Sequence, residues 1–270
     1  MQQEDFSKYN GEGTQLRKAQ LRMLEVLTEV DKICRKHDIQ YWIDFGTLLG
    51  AVRHKGFIPW DDDVDICVYE KDYKRLREVL IEELPAKYVF QDTTTDKYAF
   101  FTYGRVRDTQ SYCYYPYFVK LKEQGLWIDI FRYEDIPSPI LKNFVDFFYR
   151  RAYHEIHHYG DVAYTSKVEI ICKRVIAYII YPFTWLAKKA VQYLGEHSSK
   201  GLLGRWAISS TVYHKENIFP LTEVEFEGHM FFAPGNWHKH LTDIYGDYMQ
   251  VPPPEKREQI LDMTLVKIEE

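Results

Sequence analysis

Residues 41–68 read YWIDFGTLLGAVRHKGFIPWDDDVDICV, and the reading of this stretch decides the fold. Near its end, Asp63 and Asp65 stand on either side of Val64 and are followed by Ile66, Cys67 and Val68. In a β-strand, side chains at i and i+2 share a face, so both carboxylates project together while Val64 and Ile66 enter the core. Twice the rise per residue separates their Cβ atoms by roughly 6.5–7 Å. That span brackets a pair of divalent ions about 3.5–4 Å apart. Unpaired carboxylates on one face repel each other, and a cation is their natural partner. A solvated acidic turn explains most Asp runs. Here the flanking alternation and the Gly46-Thr47 turn upstream make a compound pattern instead.

Upstream, residues 40–45 form a short strand, and Gly46 then permits a close backbone approach. Residues 47–52 supply one or two helical turns. Their free N-terminal amides and the Thr47 hydroxyl suit a phosphate. Arg53, His54 and Lys55 follow as a basic loop tethered between this turn and the acidic strand, a candidate diphosphate clamp. Asp61 shares the parity of Asp63 and Asp65 and is an additional candidate metal ligand, whereas Asp62 faces elsewhere. Trp60 is read as a plug beneath the loop.

Further on, two strand-like runs cover residues 98–107 and 112–120. Arg105 and Arg107 alternate with Val106, which puts both guanidiniums on one face as candidate phosphate ligands. Trp127-Ile128-Asp129-Ile130-Phe131 is a central strand with one carboxylate in apolar company. A buried carboxylate without metal or hydrogen-bond partners is costly, so Asp129 is taken as the third ligand. It serves as a general base only if one of its oxygens stays free.

Gly46-Thr47 followed by Asp63-Val64-Asp65-Ile66 resembles the nucleotidyltransferase-fold signature, and the intact string GTLLGAVRHKGFIPWDDDVDI resembles the LicD family of phosphocholine transferases, relatives of fukutin and fukutin-related protein. The likeness extends to Gly104-Arg105-Val106-Arg107-Asp108-Thr109. It returns at Phe226-Glu227-Gly228, Pro234, Leu241, residues 245–249 and Pro252-Pro253. The resemblance implies an α/β (α+β) mixed sheet with flanking helices and a helical appendage. It also implies transfer of phosphocholine from CDP-choline to a sugar hydroxyl, with release of CMP. The acceptor would be a cell-surface glycan such as lipopolysaccharide or teichoic acid, or its lipid-linked precursor. Alternatives are transfer from CDP-ribitol or CDP-ethanolamine, a true nucleotidyltransferase, or a non-catalytic binding protein on the same fold. The last would be expected to lose a carboxylate, and this chain keeps all three. Oxygen-only ligands point to two Mg²⁺ or Mn²⁺ ions. Clustered rings at Tyr112, Tyr114, Tyr115, Tyr117 and Phe118 offer a cation–π cage for a quaternary ammonium.

The 270 residues, 46% hydrophobic and 28% charged, suit a catalytic core (residues 1–136), a helical subdomain (137–220) and a C-terminal segment (221–270) packing back on the core. A net charge of −5 argues against a general nucleic-acid binder. The four scattered cysteines and the polar N-terminus, which lacks a secretory signal, suit a cytoplasmic protein. Helices are expected over 14–37, 71–84, 140–158 and 166–194, the last bent or interrupted at Pro182. Residues 175–187 are almost wholly apolar between Lys173-Arg174 and Lys188-Lys189, and fall short of the roughly 20 residues that span a bilayer. A buried helix is the default reading. Peripheral contact of 168–194 with the inner face of a membrane is the alternative.

Overall fold

A computed structural model describes residues 5–208, 212–257 and 259–269. After a short turn of helix α1 (Ser7–Asn10), α2 (Gln15–Lys36) starts at Thr14, whose hydroxyl accepts the Arg17 amide at 3.2 Å. Its apolar stripe, including Met23, Leu27 and Val30, is wholly buried on the sheet. Strand β1 (Tyr41–Ile43) leads into α3 (Phe45–His54), then β2 (Asp65–Tyr69) and α4 (Glu70–Glu83). Strands β3 (Tyr88–Gln91), β4 (Gly104–Asp108) and β5 (Ser111–Cys113) precede the long β6 (Trp127–Ile136).

Helix α5 (Pro139–Ile156), the short α6 (Gly160–Ala163) and α7 (Lys167–Glu196) form the appendage. The chain then runs through β7 (Leu202–Arg205), β8 (Val212–His214), α8 (Lys215–Ile218), the hairpin β9 (Thr222–Phe226) and β10 (His229–Ala233), α9 (Trp237–Tyr245) and β11 (Val266–Ile268). The main sheet has the order β1-β2-β6-β4-β3. Strands β2 and β6 are parallel, the other neighbours antiparallel, and β7 and β8 continue from the far half of β6. This is the mixed α+β sheet expected.

Four local expectations change. Residues 98–103 and 116–120 are not strand, because paired backbone on β4 begins only at Gly104 and Pro116 opens a 3₁₀ turn. Helix α7 runs unbroken through Pro182. The turns on either side are held through buried Ala177 and Lys188, which offsets one lost hydrogen bond. The same helix is not the buried one taken as the default: Ile171, Val175, Ile179, Phe183 and Leu186 are all exposed. Strands β7 and β8 also lie within the stretch read as purely helical. They are held to the sheet by Leu203 and Tyr213, which pack with Trp42, Phe131 and Tyr133 in a second apolar cluster.

Two devices fasten the remainder to the site. Arg17 makes a two-pronged bond to Glu227 in the β9–β10 turn at 2.9 and 2.7 Å, and Glu227 also accepts the Phe57 amide at 3.1 Å. On the other side, Lys142, Asp146, Lys188 and Glu134 form an ionic group with no solvent exposure to speak of, joining α5 and α7 to β6.

Candidate active site

The sheet register puts Asp65 of β2 opposite Asp129 of β6, and Asp129 opposite Arg105 of β4. Three neighbouring strands thus carry an acid, an acid and a base in one row, with adjacent backbones about 4.8 Å apart. Just before β2, the Asp129 amide donates to the Val64 carbonyl at 2.8 Å, so the extended pairing reaches back toward Asp63. Val64 is fully buried and Asp63 and Asp65 flank it, as the alternation requires. Asp62 turns the other way and accepts the Leu261 amide at 2.5 Å.

The charges in this row are unbalanced. Arg105 donates to both oxygens of Asp129, at 2.5 and 3.4 Å. It is sandwiched by Phe101, Phe118 and Trp127, each 4.6 to 4.7 Å from the guanidinium, and its Nη1 has no partner. Among the described residues no cation forms an ion pair with Asp61, Asp63 or Asp65, and Arg53 and Arg205 act on Asp61 and Asp65 only from a distance. Burial, then the charges of Asp129 and Asp62, push Asp63 up to about 7. Burial, followed by Asp63, Asp129 and Asp61, lifts Asp65 well above the carboxylate range, with Arg205 only partly opposing. Asp61 is likewise raised well above its ordinary value, by burial first and then by the charges of Asp63 and Asp62. Gly46 makes this crowding feasible: a Cβ there would lie 2.6 Å from Asp61 Oδ2.

An uncompensated, oxygen-only set of Asp61, Asp63 and Asp65 fits a hard divalent cation in chemistry and in charge. Among the described residues, however, no three His, Cys, Asp or Glu groups are drawn together as a finished coordination shell. Asp129 accepts from Arg105 on both oxygens, and each oxygen keeps a further lone pair toward the cleft that it lines. One consequence can be measured. Asp63 holds a proton in the folded chain up to about pH 7, while its ordinary value is 3.8. The folded state therefore binds more protons between those limits, and ion-free stability should fall as pH rises through that window. Thermal melts in EDTA from pH 5 to 8 should slope more steeply for the wild type than for Asp63→Asn, and parallel slopes would refute the assignment.

The upstream turn differs in detail from its expected use. Asp44 caps α3 by accepting the Phe45 amide at 2.8 Å. It also meets His240 Nε2 at 2.7 Å. Burial raises Asp44, but the charge and hydrogen bond of His240 outweigh it and leave the carboxyl below its ordinary value. The first amide of α3 is thus already engaged. Thr47 Oγ1 accepts the Asp65 amide at 2.9 Å, which locks the turn to the acidic strand and leaves the hydroxyl proton to donate.

Arg53, His54 and Lys55 do not form a single cationic loop. Arg53 closes α3 by donating to the carbonyls of Tyr248 and Gln250, at 2.9 and 3.3 Å, with Asp61 close enough to favour its charge. His54 is pushed down to about 4 by burial and then by Arg53, so it is neutral at pH 7, packed against Phe6 and Trp60. Lys55 is the exposed C-cap, at φ 60°. Arg107 also departs from expectation. It has no exposure and donates to Gln91 at 2.5 Å and to the Gly125 carbonyl at 2.7 Å, and it stiffens the sheet behind Arg105.

A cleft of about 370 Å³ opens on Asp63, Asp129 and Arg105. Of the rings singled out in the sequence, Tyr115, Tyr117 and Phe118 line it, whereas Tyr112 and Tyr114 do not. Phe100, Tyr103, Trp127 and Tyr159 complete the wall. The first two and Tyr159 carry no local signal, because they arrive from the loop before β4 and from the turn between α5 and α6. Arg205 was not foreseen either: it lies 5.0 Å over Phe45 and 4.6 Å over Phe131, favours the charge of Asp65, and has a buried Nε without a partner.

A mixed sheet that carries Asp65 and Asp129 on neighbouring parallel strands, with Asp63 just ahead and a Gly-Thr turn beside them, has the arrangement expected of a nucleotidyltransferase-type domain. Residues 38–168 match the LicD/FKTN/FKRP nucleotidyltransferase domain, and the chain carries a domain of this LicD family. The lipopolysaccharide cholinephosphotransferase LicD of Haemophilus influenzae is 29% identical over 258 residues, covering 89% of this chain and 93% of that protein. An uncharacterized protein of Rickettsia prowazekii is 40% identical over 77 residues, 28% of this chain and 27% of its own length. The ribitol 5-phosphate transferase FKRP of Homo sapiens is 53% identical over 34 residues, 13% of this chain and 7% of that one. Together the domain and the relative that spans most of the chain mark it as a transferase.

Proposed function

We propose that this protein transfers phosphocholine from CDP-choline to a hydroxyl of a cell-surface glycan or its lipid-linked precursor, and releases CMP. The observation that carries this reading is the row Asp65–Asp129–Arg105, crowded by Asp63 and Asp61 and opening onto an aromatic cleft. The acceptor oxygen would bond to the phosphorus that bears choline while the bond from that phosphorus to the CMP oxygen breaks. The hydroxyl proton leaves the acceptor, and CMP departs with the electron pair. Asp63, Asp65 and Asp129, with Asp61 as an additional ligand, are the residues that would hold Mg²⁺ or Mn²⁺. When bound, such an ion supplies charge neutralisation at the phosphoryl oxygens.

The chain's own groups supply the rest. Arg105 Nη1, unpartnered in a ring-lined sandwich, and Arg205, beside Asp65, are the donors available to phosphate oxygens. Tyr115, Tyr117 and Tyr159 present faces suited to a quaternary ammonium, with Asp63 adding negative charge to the same cleft. The likeness to a cholinephosphotransferase over most of the chain supports choline over ribitol. The short match to a ribitol 5-phosphate transferase keeps CDP-ribitol as the comparison substrate. Incubation with CDP-choline, Mg²⁺ and a glycan acceptor should release CMP and label the acceptor with choline phosphate. Preference for CDP-ribitol would overturn the choline assignment, and pyrophosphate release from CTP would overturn phosphoester transfer altogether.

A further inference from the structure

We infer that the α5–α7 hairpin is a docking surface for the interface of an anionic lipid bilayer. By length and composition α7 is apolar enough to cross a membrane, yet only 6% of its most apolar window is buried. Ala177, Lys188, Val191 and Gly195 face the rest of the protein, while Val168, Val175, Ile179, Leu186 and Tyr193 are exposed along the opposite side. Helix α5 adds Ile140, Phe144 and Phe147, which are 83%, 64% and 51% exposed. A contiguous apolar surface along a helix about 45 Å long is far more than a monomer ordinarily leaves in water.

Two observations decide what covers it. The first is the buried ionic group. Lys188 is fully enclosed with Glu134 and Asp146, and Gly195 sits against the Asp135 backbone with no room for a Cβ. Threading α7 through a bilayer would tear both contacts away, so the helix is fixed to the catalytic sheet and lies along a surface rather than across it.

The second is charge. Leaving aside the buried Lys142, Asp146 and Lys188, residues 139–200 hold seven Lys or Arg against four Asp or Glu, a surplus of three positive charges in a chain whose net charge is −5. A second copy on the same face would set one positive hairpin against another. An anionic leaflet complements it, at about 1 kcal/mol per basic group near the surface. The loop between α5 and α6 reaches the cleft: its Tyr159 lines the cleft and stacks on Tyr117.

The test is co-flotation of the full chain with vesicles of phosphatidylcholine containing phosphatidylglycerol, at low salt. The wild type should float. The triple variant Ile179→Ser, Phe183→Ser, Leu186→Ser, altered only at exposed positions, should lose at least ten-fold in bound fraction and keep the wild-type circular dichroism and cleft-dependent activity. Failure of the wild type to float, or equal flotation of the variant, overturns the inference. Binding indifferent to phosphatidylglycerol and to salt overturns the anionic partner. Sedimentation of the wild type as a dimer that the variant abolishes, without flotation, assigns the face to a second copy instead. Flotation needs no turnover, so its failure leaves the transferase reading untouched.

Discussion

Asp65→Asn is expected to lower turnover by about three orders of magnitude, a loss of the size seen when one electrostatic contact to a transition state is removed, while raising the melting temperature of the ion-free protein. The two effects share a cause. Asp65 is buried and held well above the carboxylate range by burial and by Asp63, Asp129 and Asp61, with Arg205 only partly opposing. An amide of the same shape ends that repulsion. A gain of about 1 kcal/mol corresponds to roughly 2–4 °C in a domain of this size. A residue kept for structure alone would show the reverse, a lower melting temperature together with the lost activity. Calorimetry in EDTA beside a CMP-release assay separates the cases. If the variant melts lower than the wild type, the acidic row is structural and the proposed site fails.

Lys188→Met is expected to have the largest effect on stability. The Lys188 ammonium is enclosed between Glu134 and Asp146 Oδ1, the latter at 2.6 Å, and lies 4.6 Å from the Trp206 ring. Removing one partner of such a group leaves a buried charge uncompensated, at a cost of about 3–5 kcal/mol. That is on the order of 10 °C in melting temperature. Burial first, and Asp146 in addition, already raise Glu134 to about 7, with Lys188 opposing. Without Lys188, Glu134 should hold its proton to higher pH still, so the stability deficit should shrink as pH is lowered. Lys188→Met combined with Glu134→Gln should recover part of the loss. An unchanged melting temperature for the single variant would mean that α7 is not anchored through this group.

What residues 41–68 determined by themselves is considerable. The alternation around Val64 required Asp63 and Asp65 to share a side, and hydrophobic–acid–hydrophobic alternation around Asp129 required a central strand. Both are local consequences of a two-residue period; Asp129 stands on the central strand, whereas β2 begins only at Asp65 and leaves Asp63 just ahead of it. Helix α2 and its Thr14 cap were equally legible, because a 3.6-residue stripe and a capping hydroxyl are neighbours in sequence.

The partners were decided by tertiary structure. Arg105 and Arg107 read as equivalent, yet register set Arg105 against Asp129 in the cleft and packed Arg107 behind it. His54 and Arg53 looked like a clamp until burial neutralised the histidine and the Tyr248 and Gln250 carbonyls took the arginine. Asp44 and His240 are 196 positions apart, and no local pattern joins them. The exposed face of α7 has the same origin. Apolar periodicity says that a helix has a face to cover, but only the packing of the whole chain shows that nothing within the described residues covers this one. Charge compensation and burial depend on what folding brings near, and that is set by contacts distant in sequence.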